Sequence, residues 1–180
     1  MSTRCATLGI CGWKDSGKTT LIERLLPTLR ARGLRVAVVK HDAHGVDVDR
    51  PGKDSDRFFQ AGADVFVRAP DQAFFRIQSE RVPTLDELLT VLGPRYDLIL
   101  VEGHKGTPIP KLWLLGPDGV GPPPGVTGIV AVLPRDADRV PAAQAVLDRL
   151  TAGPGGAPGL YDDFTGPTRP WIGSGPGGGG

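Results

Sequence analysis

The sequence is poor in several things at once. It has two cysteines, one methionine, three histidines and no asparagine, its aromatic content is 6%, and its net charge is +1. Two cysteines, Cys5 and Cys11, build no disulfide framework, and such thin cysteine usage points to a reducing, cytoplasmic compartment. With 21 Lys+Arg against 20 Asp+Glu there is no field suited to gripping nucleic acid or anionic lipid. No apolar run reaches the roughly 18–20 residues that a membrane span needs. The opening MSTRCATLGIC is too short and too soon interrupted to read as a signal peptide. A chain of 180 residues has room for one core, so the expectation is a soluble, intracellular, single-domain protein.

Glycine and proline, by contrast, are plentiful and unevenly spread. Residues 151–180 hold eleven Gly and five Pro, which predicts a flexible tail, punctuated by Tyr161, Phe164 and Trp171, behind a folded domain spanning 1–150. Within that domain short apolar runs alternate with helical patterns. Strands are expected at Leu8–Cys11, Val36–Lys40, Val65–Arg68, Ala73–Gln78, Leu98–Glu102, Lys111–Leu115 and Thr127–Leu133. Helices are expected at Lys18–Arg32, Ser55–Ala61, Leu85–Leu92 and Ala142–Leu150, with a Thr84/Glu87 capping box before the third and Pro141 in the first turn of the fourth. Leu98–Val101 and Ile129–Leu133 are apolar at every position, as in strands covered on both faces. The pattern predicts an α/β fold, a largely parallel sheet flanked by helices. Ala73–Gln78 follows its predecessor too closely for a helical crossover, so a hairpin forming an antiparallel edge is expected there.

The most informative stretch is Gly12-Trp13-Lys14-Asp15-Ser16-Gly17-Lys18-Thr19-Thr20, which satisfies G-x-x-x-x-G-K-[ST]. Glycines let the backbone curl around a phosphate chain so that its amides point inward, and the following helix aims its free N–H groups at the same anion. In this pattern Lys18 bridges the β- and γ-phosphates and the Thr19 hydroxyl ligates Mg²⁺. With the residue frequencies of this chain, an accidental match is expected only about 0.01 times.

A metal-bound triphosphate needs an acid at the end of a neighbouring strand. Glu102, directly after the apolar run Leu98–Val101, has that position, while Asp97 at the other end of the run reads as a structural cap. The familiar guanine reader Asn-Lys-x-Asp is excluded by the missing asparagine. Asp136 or Asp138, leaving the last strand, could accept the paired N–H donors of guanine, although Asp138 equally suits the cap of the final helix. The segment Lys40–Ser55 gathers two His, four Asp, two Lys and one Arg. Three readings stay open for it. His41 and His44 form a metal pair, or Asp42 or Asp54 belongs to a switch that answers to the γ-phosphate, or the segment is a polar surface loop with Asp54 capping a helix. His104 follows Glu102 toward the same sheet edge.

Taken together, GWKDSGKTT, VVKHDAHGVDVDRPGKDSDRFFQAGAD and YDLILVEGHK resemble the molybdopterin-guanine dinucleotide biosynthesis adapter (MobB) family over about residues 6–133. The resemblance implies a P-loop GTPase-like fold of the class shared with dethiobiotin synthetase and nitrogenase iron protein. It also implies binding of GTP and Mg²⁺ with at most slow hydrolysis, and a homodimer. A molybdenum cofactor guanylyltransferase is the implied partner, with a supporting role in attaching GMP to molybdopterin. On it, Gly12 to Thr20 hold the phosphates, Thr19 and Glu102 the metal, and Asp54 approaches the γ-phosphate. The chain departs from the wider class at Trp13, where a second lysine often follows the first glycine; here Lys14 comes one residue later. A P-loop small-molecule kinase or ATP-dependent ligase is the alternative, with Arg68, Arg76 and Arg81 as its candidate lid, and a nucleotide sensor without turnover is a third.

Overall fold

The computed structural model describes residues 5–42 and 45–152, so His44 and the expected 151–180 tail beyond residue 152 lie outside the described residues, while Thr151 closes the last helix. The chain divides into two compact units, one of Met1–His41 with Leu89–Gly180 and one of Asp42–Leu88.

The first unit is built on a five-stranded sheet. Its strands are β1 (Ala6–Gly12), β2 (Val36–Lys40), β5 (Leu98–Glu102), β6 (Lys111–Leu114) and β7 (Ile129–Leu133), in the order β2-β5-β1-β6-β7. Every pairing is parallel. Parallel strands need crossovers, and α1 (Lys18–Ala31) lies in the one from β1 to β2, while α4 (Arg139–Thr151) follows the last strand and packs beside the sheet. Alternation along the strands divides the core in two. Ala6, Leu8, Ile10, Leu98, Leu100, Leu112 and Leu114 pack with Leu21, Ile22, Leu25 and Leu29 of α1 and Ala143 and Leu147 of α4. On the opposite face Cys11, Ile99, Val101 and Trp113 are equally buried. This two-sided burial is why β5 is apolar throughout. Pro27 sits inside α1 on an exposed face, where the carbonyl it deprives of a donor can turn to solvent.

Boundaries moved where side chains intervened. β7 starts at Ile129 rather than Thr127 because Gly128 takes φ +74°. The final helix begins three residues earlier than expected, since the Asp138 carboxylate accepts the Val140 N–H at 3.2 Å and starts it at Arg139.

In the second unit α2 (Asp54–Gln60) precedes β3 (Val65–Arg68) and β4 (Ala73–Arg76), followed by a 3-10 turn at Ser79–Arg81. The start of α3 (Leu85–Leu92) carries the expected capping box: Glu87 accepts from the Thr84 N–H at 2.8 Å and donates its own N–H to the Thr84 hydroxyl at 3.3 Å. The hairpin expectation holds, but not the edge: β3 and β4 form a separate two-stranded antiparallel sheet. Their burial alternates, so each strand has one face to cover and lacks the all-apolar character of a central strand. β4 ends two residues early because the Gln78 N–H turns to the Asp64 carboxylate at 2.8 Å. Asp54 does not cap α2; Lys53 occupies that position and Asp54 is the first helical residue.

Candidate functional site

Parallel strands in register bring their carboxyl ends together. Ile10 of β1 and Lys40 of β2 both pair with Glu102, and Gly12 pairs with Leu114. At this edge the chain must pass from β1 into α1, and Gly12 makes the turn at φ +156°. A Cβ there would lie 2.4 Å from the Ser16 hydroxyl and 2.6 Å from the Leu114 carbonyl, so only glycine fits. Asp15 takes the left-handed conformation at φ +58°, and Gly17 does so at φ +85°. Gly17 occupies the N-cap position of α1 and offers no side-chain cap. The first intrahelical bond there is Leu21 N–H to the Gly17 carbonyl at 3.0 Å, so the amides of Lys18, Thr19 and Thr20 have no acceptor within the helix. Such a terminus is a ready anion site.

Side chains around the loop agree with that reading. The Lys18 ammonium donates to the Trp13 carbonyl at 2.9 Å and the Gly12 carbonyl at 3.5 Å, and no ion-pair partner for it appears among the described residues. The Ser16 hydroxyl is buried without a hydrogen-bond partner among the described residues. Most telling, the Thr19 hydroxyl donates to Glu102 Oε1 at 3.2 Å, across 83 residues of sequence. The two expected metal ligands therefore meet. Both are oxygen donors and one is a carboxylate, the set that Mg²⁺ prefers.

The other expected residues fall as follows. Trp13 is partly exposed, its indole N–H donates to the Gly121 carbonyl at 3.0 Å, and its ring meets Trp113 edge-on at 5.9 Å. With Lys14, Gly116, Pro117, Asp118 and Val120 it lines a cleft of about 200 Å³. His41 and His104 stand at the ends of β2 and β5 with ring centroids 4.4 Å apart. Burial, reinforced by the neighbouring His41, holds the His104 imidazole below its usual pKa. No group of three or more metal-binding His, Cys, Asp or Glu side chains occurs among the described residues. Asp136 is exposed in the segment that leaves β7. Asp138 is the helix cap already described and also pairs with Arg24 at 3.3 Å. Asp54 belongs to the second unit, exposed, with Arg57 at 3.9 Å. Cys11 is a free thiol that donates to the Gly103 carbonyl, and burial pushes its pKa up, which makes it inert.

Sequence reasoning missed three cations. The Arg139 guanidinium donates to the carbonyls of Ser16 at 2.5 Å, Leu115 at 2.6 Å and Pro134 at 2.7 Å, tying the loop to the ends of two strands. Arg135 adds a longer bond to the Asp15 carbonyl at 3.4 Å. Lys105 lies over the Trp13 ring, 3.9 Å from its centroid. No periodicity marks any of them; their only signal is position just beyond a strand end.

The family model for molybdopterin guanine dinucleotide synthesis protein B, MobB, matches residues 7–133. The chain belongs to the MobB family. The molybdopterin-guanine dinucleotide biosynthesis adapter protein of Haemophilus influenzae is 42% identical over 116 residues, which are 63% of this chain and 65% of that protein. The chain thus spans just under two thirds of that relative's length. The Escherichia coli adapter protein of the same name is 42% identical over 125 residues, 66% of this chain and 70% of that one. A crystal structure of molybdopterin-guanine biosynthesis protein B superposes with a TM-score of 0.62 at 33% identity, covering 80% of this chain and 98% of the other. The MobB match takes in the loop Gly12–Thr20 and Glu102, and it stops at Leu133, before Asp136 and Arg139.

Proposed function

We propose that this MobB-family chain is a GTP-binding adapter for the attachment of GMP to molybdopterin, working as a cytoplasmic homodimer beside a molybdenum cofactor guanylyltransferase. The observation that carries the nucleotide part is the meeting of Thr19 and Glu102 at 3.2 Å beside an uncapped helix start and an unneutralised Lys18. Gly12 to Thr20 would wrap the phosphates, with Lys18 placed to neutralise the β- and γ-phosphates. Thr19 and Glu102 would hold Mg²⁺, which when bound screens the charge of the phosphate oxygens. Asp136 would read the base, as a carboxylate accepts the two adjacent N–H donors of guanine and adenine lacks that pair. The adapter part is supported by the family match and by the names of the relatives from Haemophilus influenzae and Escherichia coli.

Hydrolysis in this reading is slow at most, as the family resemblance implies. Around the loop the described side chains supply cations and the Glu102 carboxylate, which would bind and orient a metal-bound triphosphate. Of the three lid candidates in the kinase alternative, Arg76 is held by Asp56 at 2.8 Å and Arg81 by Asp64 at 2.9 Å, which favours the adapter reading. Competition binding of GTP against ATP, with and without Mg²⁺, tests the proposal. Mg²⁺-dependent preference for GTP is expected, with the affinity for both nucleotides greatly weakened in Lys18→Ala. Absence of binding by either nucleotide at millimolar concentration would remove it, and stoichiometric phosphorylation of a metabolite would restore the kinase.

A further inference from the structure

Lys105 is used by nothing described so far. It is the third residue after Glu102, and the two between, Gly103 at φ +91° and His104 at φ +52°, both take left-handed backbone. Two such residues in succession turn the chain sharply off the end of β5. The turn delivers the Lys105 ammonium onto the phosphate loop, 3.9 Å from the centroid of the Trp13 ring and 5.7 Å from that of Trp113. Among the described residues it has no carboxylate partner. Trp13 therefore carries two ammonium groups, Lys105 on its ring and Lys18 on its carbonyl. Like charges repel, and neither is neutralised by an acid. A loop that gathers two free cations is short of negative charge, and a π face holds an ammonium only weakly.

Sheet order says which part of a nucleotide would meet Lys105. β5 and β7 lie on opposite sides of β1 in the order β2-β5-β1-β6-β7. A nucleotide laid across the strand ends, with its base over the segment leaving β7 and its phosphates in the loop after β1, points its terminal phosphate toward β5. Glu102, the metal carboxylate, is on that side, and so is Lys105.

We propose that Lys105 is the residue by which this protein tells a nucleoside triphosphate from a diphosphate, leaving the Trp13 ring to donate to the terminal phosphate. Without that phosphate the ammonium stays on the indole. This inference rests on the nucleotide-binding reading above. It also gives Trp13 a purpose as the resting face for the cation.

The test compares the full chain with its Lys105→Met and Lys105→Arg variants. Each is titrated calorimetrically with Mg²⁺-GDP and with a Mg²⁺-bound non-hydrolysable GTP analogue, while tryptophan emission is followed in parallel. In Lys105→Met, affinity for the analogue should fall about tenfold or more, the value of one charge-assisted hydrogen bond, with GDP affinity within about twofold. Lys105→Arg should restore the discrimination. Emission of the parent protein should change with the analogue and not with GDP, and a Trp13→Phe variant should abolish that change. Equal weakening of both nucleotides, or of neither, overturns the proposal while leaving nucleotide binding intact. A parent protein that binds neither nucleotide brings down the nucleotide reading and this inference with it.

Discussion

Arg139 sits where the loop Gly12–Thr20, the end of β6 and the segment leaving β7 converge, so its removal tests how the loop is held. The substitution Arg139→Met keeps the aliphatic stem and removes the fork. Three carbonyls, those of Ser16, Leu115 and Pro134, lose donors at 2.5–2.7 Å. Hydrogen bonds to charged groups contribute about 1.5–3 kcal/mol each, a gross loss of about 4.5–9 kcal/mol. Two effects shrink it. Burial holds the Arg139 pKa below its usual value, so part of the gross gain already offsets desolvation of the cation. The carbonyls lie at a loop end that water can reach once the guanidinium is gone. The net destabilisation worked from this is about 3 kcal/mol. With a urea slope of about 2 kcal/mol per molar, the midpoint should fall by about 1.5 M. Arg139→Lys, with charge but no fork, should recover less than half, because one ammonium cannot reach all three carbonyls in their fixed directions. Nucleotide affinity should fall as well, since Ser16 and Gly17 would no longer be held. A midpoint within about 0.3 M of the parent would refute the reasoning, showing that the loop holds its shape through its own glycine geometry.

Three further outcomes are expected. Gly12→Ala forces a Cβ to 2.4 Å from the Ser16 hydroxyl and 2.6 Å from backbone, so stability should drop by about 2–4 kcal/mol with nucleotide binding lost; a stable, binding variant in a urea titration would contradict the tight turn. Asp97 is held at a pKa of about 2 by the Arg35 guanidinium and backbone N–H, against 3.8 ordinarily. Its folded pKa is depressed, so its contribution is present above pH 3.8 and lost as pH falls through about 2. Because the Arg35 side chain is 62% exposed, solvent screening reduces the contribution to about 1 kcal/mol, and Asp97→Asn should show that difference at pH 7 and a clearly smaller one as pH falls from 3.8 toward about 2; a constant difference across that range would refute it. Lys111→Met leaves the carbonyls of Thr107, Ile109 and Thr127 without their shared donor and should cost about 2 kcal/mol in thermal or urea unfolding; an unchanged or more stable variant would mean that desolvating the ammonium outweighs its bonds.

Much of the first unit was legible because its signals are local. G-x-x-x-x-G-K-T places a turn and a helix within nine residues, and Leu98–Glu102 announces a doubly covered strand with an acid at its end. Chain order alone put Glu102 at the edge where Thr19 waits. The Asp97 expectation of a structural role also held, although its partner Arg35 was not visible 62 residues away. The hairpin was legible in kind and misplaced in context. Its alternating pattern states that one face is covered but not which sheet it joins.

What stayed hidden has a common physical form. Arg139 reaches back 123 residues to Ser16, and Lys105 meets Trp13 across the gap between two strands. Lys111 spends its ammonium on the carbonyls of Ile109 and Thr127 after laying its stem over Gly9, where a Cβ would be 3.1 Å from its Cγ. Periodicity detects burial through apolar side chains, so a lysine in a strand reads as an exposed edge. Lys111 is instead wholly buried, because the chain leaves three carbonyls beside it and a long apolar stem can cross the core to reach them. The same logic explains why Arg139 and Lys18 gather at the loop. Glycine-rich turns expose carbonyls that no ladder satisfies, and arginine and lysine are the side chains with donors enough to satisfy several at once. A loop whose glycines curl the backbone this tightly thus leaves carbonyls to be collected by side chains. Arg139 collects that of Ser16 together with the strand-end carbonyls of Leu115 and Pro134, and Lys18 collects those of Gly12 and Trp13.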